Sequence, residues 1–232
     1  MHRRSRVPAL AGASLHDAET APHRHYLPGM GQQWLLPLYD PLTRWLGVRS
    51  AHRRLLGLAG VGAGERVLEI GCGTGNLAVL LATRCPTAQV AGIDPDPQAL
   101  ARARRKAHRA GASVQLDQGF AEQLPYEDGR FDHVLSALMF HHLPPDGRPA
   151  ALREVARVLR PGGALHLLDF GAGGGRPAGL TGRLMRHRPR LQDSFGDRLP
   201  TLMREAGLVD PIEVGQASTR VGRCAIYRAR AA

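Results

Sequence analysis

The sequence predicts an α/β fold, a doubly wound and mostly parallel sheet with helices on both faces. Three observations carry this. From Glu65 onward, short apolar runs of strand length alternate with stretches of helical periodicity. Residues 67–75, VLEIGCGTG, pass from strand through three glycines into a helix. Acidic residues, Glu69 and Asp94, stand at the ends of the first two strands, where a ligand-binding sheet edge would need them. A chain of 232 residues is long enough to bury one substantial core with appendages.

Residues 1–27 read as a flexible basic tail. Their resemblance to a signal peptide is weak, because Pro8 and Gly12 interrupt a very short apolar stretch. Residues 28–60 space Trp, Leu and Tyr at helical intervals and predict short cap helices broken at Pro37, Pro41 and Gly47. The core is expected over 61–232. Val67, Leu68 and Ile70 form its first strand, with Glu69 ending it one residue early. Gly71, Gly73 and Gly75 let the backbone turn tightly against a ligand. The helix of 76–84 then places Leu77, Leu80 and Leu81 on one face. The second strand covers 89–93. Asp96 is a credible N-cap with Pro97 in the first turn. Leu100, Ala103, Ala107 and Ala110 form a stripe, and Gly111 ends the helix. Further strands are expected at about 113–117, 131–136 and 164–170. A helix over 149–159 and the turn Arg160-Pro161-Gly162-Gly163 precede the last of these. Residues 171–195 begin GAGGGRP, contain RLMRHRPR and read as a lid. A helix at 199–206 leads to a closing antiparallel pair at 212–214 and 223–228.

Lys and Arg number 31 against 20 Asp and Glu, a formal charge of +11. Lys106 is the only lysine, and arginine bias with many Ala and Gly is the mark of a GC-rich coding sequence. The excess is spread along the chain and reads as a dispersed, solvated surface rather than a nucleic-acid groove. Aromatic residues are only 5%, leaving few stacking platforms for single strands. Cys72, Cys85 and Cys224 form no CxxC pair and no zinc spacing, so no metal site is expected and a reducing cytoplasm fits best. No apolar run approaches the ~18 residues of a membrane helix. Peripheral membrane contact stays open.

The glycine spacing narrows the ligand. Dinucleotide sites read G-x-G-x-x-G, whereas here the third glycine comes one residue early. A carboxylate at Glu69 would repel a pyrophosphate and suits a cationic amine. The ligand indicated is a nucleoside with a positive amino-acid tail and no phosphate, which describes S-adenosylmethionine (SAM). Asp94, 19 residues after Gly75, can accept hydrogen bonds from both ribose hydroxyls.

With GIDPD at 92–96, AEQLPYEDGRFD at 121–132, HHL at 141–143, REVARVLRPGG at 153–163 and REAGL at 204–208, the chain resembles the class I SAM-dependent methyltransferases over about residues 36–228. It is closest to the branch of ubiquinone and menaquinone C-methyltransferases and many small-molecule methyltransferases. The resemblance implies a Rossmann-like seven-stranded sheet with the last strand antiparallel. It implies that Glu69, Gly71, Cys72 and Gly73 wall the methionine end of the cofactor, that Asp94 binds ribose and that Pro95 packs on adenine. Ser136 would lie near the sulfonium. Tyr39, with Asp40, matches the pair that precedes the core in the quinone enzymes, where N-terminal helices close over the cofactor. One departure stands out: the family usually has Asp where this chain has Phe120. Phe120 either presses on the adenine ring, leaving the Ala121 N–H to contact it, or turns into the core.

Methyl transfer asks the protein to align a nucleophile and exclude water. A base is needed only if the acceptor arrives protonated. His141 and His142 follow the fourth strand at the active edge, where they are either structural or able to orient the acceptor and take its proton. The apolar run Ala137-Leu138-Met139-Phe140 beside them points to a small lipophilic or aromatic acceptor. The alternatives are a SAM-binding regulatory or partner protein without catalysis, for which Phe120 is the one support, and an RNA methyltransferase.

Overall fold

The computed structural model describes residues 46–170, 195–220 and 222–232. In chain order these form α1 (Val48–Ala59), β1 (Arg66–Ile70), α2 (Asn76–Arg84), β2 (Gln89–Asp94), α3 (Pro97–Ala110), β3 (Gln115–Gln118) and β4 (Phe131–Ala137). A 3-10 turn (Phe140–His142), α4 (Gly147–Val158), β5 (Leu159–Phe170), α5 (Phe195–Glu205), β6 (Leu208–Thr219) and β7 (Gly222–Ala231) follow. Residues 171–194 of the predicted lid, the tail and the cap-helix residues before 46, Tyr39 among them, lie outside the described residues, and Phe195 opens α5.

The seven strands form one sheet in the order β3-β2-β1-β4-β5-β7-β6. β1 to β5 run parallel, and β7 pairs antiparallel with both β5 and β6. Strand order reverses between β1 and β4, which opens a crevice at the carboxyl ends of the strands there. β1 is buried from Val67 to Ile70, as expected of a parallel strand covered on both faces. One face carries Leu55, Val67, Leu77, Leu81, Leu135, Leu168 and Ile226 under α1 and α2. The opposite face carries Leu68, Ile70, Val134, Leu152, Val155, Leu165, Leu167 and Met203 under α4 and α5.

The helix signals behave as read. Asp96 accepts from the Gln98 N–H at 2.8 Å, Pro97 opens α3, and Gly111 closes it in the left-handed region. Leu100, Ala103 and Ala107 are buried, but Ala110 is exposed, because the stripe ends with the helix. Leu77 and Leu81 are buried, whereas Leu80 is half-buried. Glu69 does not end β1. It pairs in register with Gly92 and Leu135, and Ile70 is the last residue of the strand. β5 starts five residues before the predicted 164, since Leu159 already pairs with Phe131 across a bulge. β6 is far longer than 212–214, because register shifts let the sheet absorb Pro211 and Gly215.

Candidate functional site

The turn after β1 is sewn to β2. The N–H groups of Gly71 and Cys72 both donate to the Ile93 carbonyl, at 2.9 and 3.0 Å, and Gly75 N–H donates to Cys72 O at 2.8 Å. Gly71 and Gly73 hold φ of 68° and 52°, the left-handed region that a Cβ disfavours. A Cβ on Gly71 would come within 2.2 Å of the Met139 Cγ, so Met139 caps that glycine. A Cβ on Gly73 would meet nothing within 4 Å. The backbone therefore faces open space at Gly73, beside the crevice. Cys72 packs its sulfur against Gly92, and burial pushes its thiol well above the usual range. It is a small filler rather than a nucleophile.

Two acids frame this turn. Asp94 Oδ2 accepts from the Gly73 N–H at 2.8 Å, and Oδ1 accepts from the Asp96 N–H at 3.0 Å. Each oxygen keeps a second lone pair for a ligand hydroxyl. Burial raises the Asp94 carboxyl, and the two backbone donors work against that rise. Glu69 is buried, and its Oε2 accepts from the Ala78 N–H at 2.7 Å. The N-cap of α2 is Gly75, which has no side chain, so Glu69 caps the helix from the strand below. Burial drives the Glu69 carboxyl well up, the Ala78 bond opposes this, Asp94 adds to it, and Lys106 opposes it. Lys106 Nζ donates to Asn76 Oδ1 at 2.5 Å and to Thr74 Oγ1 at 3.3 Å, which ties α3 to the start of α2.

Phe120 and Ala121 follow β3. Phe120 is half-buried and bridges to Gln123, so it is not a core residue, while Ala121 is buried. Their loop is clamped to α4. Arg157 donates to the carbonyls of Leu124 and Tyr126 at 3.0 and 2.7 Å and to Asp128 at 2.7 Å, and Glu154 accepts from the Leu124 N–H at 2.7 Å. Pro95 sits opposite, half-buried, its carbonyl accepting from Gln118 at 3.2 Å.

The third wall is the end of β4. Ser136 is fully buried, paired in register with Ile70, and its Oγ has no partner among the described residues. Leu138 holds φ of 57°, a strained value for a non-glycine residue. That kink swings the chain over the glycine turn. Three residues on, His141 Nδ1 lies 2.7 Å from Asp169 Oδ1, and its backbone N–H donates to Asp169 Oδ2 at 3.1 Å. Phe170 N–H donates to Oδ1 at 2.8 Å. A carboxylate only accepts, so Asp169 fixes the proton on Nδ1 and leaves the Nε2 lone pair available. The His142 ring packs on that of His141 with centroids 4.0 Å apart.

The structure thus brings Glu69, Gly71, Cys72, Gly73, Asp94, Pro95, Phe120, Ala121, Ser136, His141 and His142 to one sheet edge. Asp169 escaped the sequence reading although its signal was present: it is a third acid near the end of a parallel strand, in HLLDF. Arg157 lies within the REVARVLRPGG motif, but its clamp is visible only in three dimensions.

The residues fit a SAM-type ligand on the structure's own terms: open room at Gly73, a two-oxygen acceptor at Asp94 and an unpartnered buried hydroxyl at Ser136. Residues 67–163 match the family described as "Methyltransferase domain". The chain is 41% identical over 139 residues to a demethylmenaquinone methyltransferase of Thermus thermophilus, covering 59% of this chain and 62% of that protein. It is 40% identical over 119 residues to the 27-O-demethylrifamycin SV methyltransferase of Amycolatopsis mediterranei, covering 50% of this chain and 43% of that one. The chain therefore spans less than two thirds of the length of these relatives. A SAM dependent methyltransferase from Aquifex aeolicus shares the fold with TM-score 0.62 at 20% identity, covering 78% of this chain and 89% of that chain. From β1 into β5 the chain thus matches a methyltransferase domain, and its seven-stranded order belongs to a fold shared with a SAM dependent methyltransferase.

Proposed function

We propose that the protein transfers a methyl group from SAM to a small lipophilic or aromatic acceptor that carries an ionisable hydroxyl. The observation that carries this reading is the pairing, at one sheet edge, of a turn held by Asp94 with an imidazole held by Asp169. Asp94 would take the ribose hydroxyls. Pro95 and Phe120 would flank the adenine, with the Ala121 backbone at its edge. Glu69, Gly71, Cys72 and Gly73 would wall the methionine end, with the Ser136 hydroxyl beside it. When bound, the cofactor supplies an electrophilic methyl group, so little covalent chemistry falls to the protein. His141 Nε2 takes the acceptor's proton as its nucleophilic atom gains the methyl group. Asp169 orients the ring and stabilises the resulting imidazolium. His142 and Met139 hold the acceptor against the cofactor. The relatives' names, a demethylated menaquinone and a demethylated rifamycin, support an acceptor of this class. Three unpaired cysteines support a reducing, cytoplasmic setting.

Release of S-adenosylhomocysteine (SAH) with a panel of hydroquinones and phenols tests the reading. Wild type is expected to turn over at least one member. His141→Ala is expected to lower kcat by about 100-fold or more with SAH affinity unchanged, the usual worth of a positioned base. Full activity in His141→Ala contradicts the base assignment. SAH binding with no turnover on any acceptor contradicts the enzyme.

A further inference from the structure

The helices on the two faces of the sheet differ in charge. α1, α2 and α3 form one layer, with α2 packed against both neighbours. These helices contain no Asp or Glu. They expose Arg49, Arg53 and Arg54 on α1 and Arg104, Arg105 and Arg109 on α3. The other layer mixes signs: α4 pairs Arg157 with Glu154, and α5 holds Glu205 beside Arg198 and Arg204. The arginine excess that reads as dispersed along the sequence is therefore gathered on one face by the fold. Nothing in the packing calls for one sign there, since the buried stripes of these helices are apolar except for His52. The layer also borders the site, because α2 and α3 begin at the glycine turn and at Asp96, and the N-terminal turn of α1 lies against the end of β6 at the same sheet edge.

We propose that the α1–α3 face docks on an anionic lipid surface, so that an acceptor dissolved in the bilayer meets the cofactor edge. A one-signed face gains electrostatic attraction to acidic headgroups that a mixed face does not. Lipid is favoured over single-stranded nucleic acid because none of the three helices carries Phe, Tyr or Trp, so no base-stacking platform accompanies the charge. The choice of lipid also rests on the reading of a lipophilic acceptor given above.

Co-sedimentation of the full chain with phosphatidylglycerol/phosphatidylcholine vesicles, without cofactor or acceptor, tests the face alone. Binding is expected to rise with the anionic fraction and to fall as salt increases. Arg53→Glu/Arg105→Glu is expected to weaken partitioning by about tenfold or more. Arg153→Glu/Arg204→Glu, the same change in charge on the opposite layer, is expected to weaken it by less than about threefold. All four positions are exposed and lie outside the site. Equal losses in the two pairs, or no vesicle binding by wild type at ~150 mM salt, overturn the proposal. Tighter retention on a DNA duplex than on vesicles, lost in the same pair, overturns it in favour of nucleic acid. SAH release from a water-soluble acceptor is read separately, so failure to dock leaves methyl transfer standing, and failure of turnover leaves the vesicle result to be judged alone.

Discussion

Gly73 and Gly75 lie two residues apart in one turn and do different work. A Cβ on Gly75 would come within 2.8 Å of the Ala103 Cβ, so that glycine lets α2 and α3 approach, whereas a Cβ on Gly73 would enter only open space. Gly75→Ala is expected to cost stability through both strain and overpacking, roughly 2–4 kcal/mol, measured by denaturant melts. Gly73→Ala is expected to cost only the strain, about 1–2 kcal/mol, while abolishing measurable SAH binding. Equal SAH affinity in Gly73→Ala and wild type would mean that the open space at Gly73 is not the cofactor's. At the same scale, Asp169→Asn keeps the shape beside His141 but removes the charge that supports its imidazolium. It is expected to lower kcat by about tenfold or more and to leave KM for the cofactor unchanged.

Among the elements, α2 and the loop after β3 depend on side chains from outside themselves. Glu69→Ala leaves the Ala78 N–H without its partner and is expected to destabilise by about 1–3 kcal/mol, whereas Glu69→Gln restores most of that loss in a thermal melt. Arg157→Met releases the loop that carries Phe120 and Ala121 from α4, and is expected to raise KM for SAM several-fold with a smaller change in kcat. These dependences mark how far the elements were legible in sequence. Asp96, Pro97 and Gly111 announce α3 because N-cap, first-turn proline and C-terminal glycine are local signals. Glu69 was misread as the end of its strand because its role, capping a helix nine residues on, has no local signature. β6 looked short because Pro211 and Gly215 break its pattern, and the bulges that accommodate them form only against β7. Asp94 was legible from motif spacing, but the Asp169–His141 pair, 28 residues apart in the chain, needed the sheet to bring β4 and β5 side by side.

For the whole molecule, the sheet order concentrates acids at one edge and buries unpaired imidazoles elsewhere. His166 is 2% exposed, and neither ring nitrogen has a partner among the described residues. Burial, with His133 and Arg228 adding, lowers its pKa to about 3. His52, buried on α1, falls to about 4 through burial and Lys106. Both groups bind a proton more readily unfolded than folded, so the destabilisation these two imidazoles cause is absent above about pH 6.5 and grows as pH falls toward 4 and 3. Thermal melts from pH 7 to pH 4 are expected to show that decline, and His166→Leu to flatten it. An unchanged pH slope in His166→Leu would assign the acid sensitivity to other groups. The proposed SAM site lies at the β1–β2 edge of this architecture and is anchored by Asp94. Calorimetric titration of SAH into wild type and Asp94→Ala tests it most directly. One site per chain is expected in wild type, with at least a roughly tenfold loss of affinity in the variant. No heat of binding in wild type at ~1 mM SAH, or equal affinity in both proteins, would contradict it.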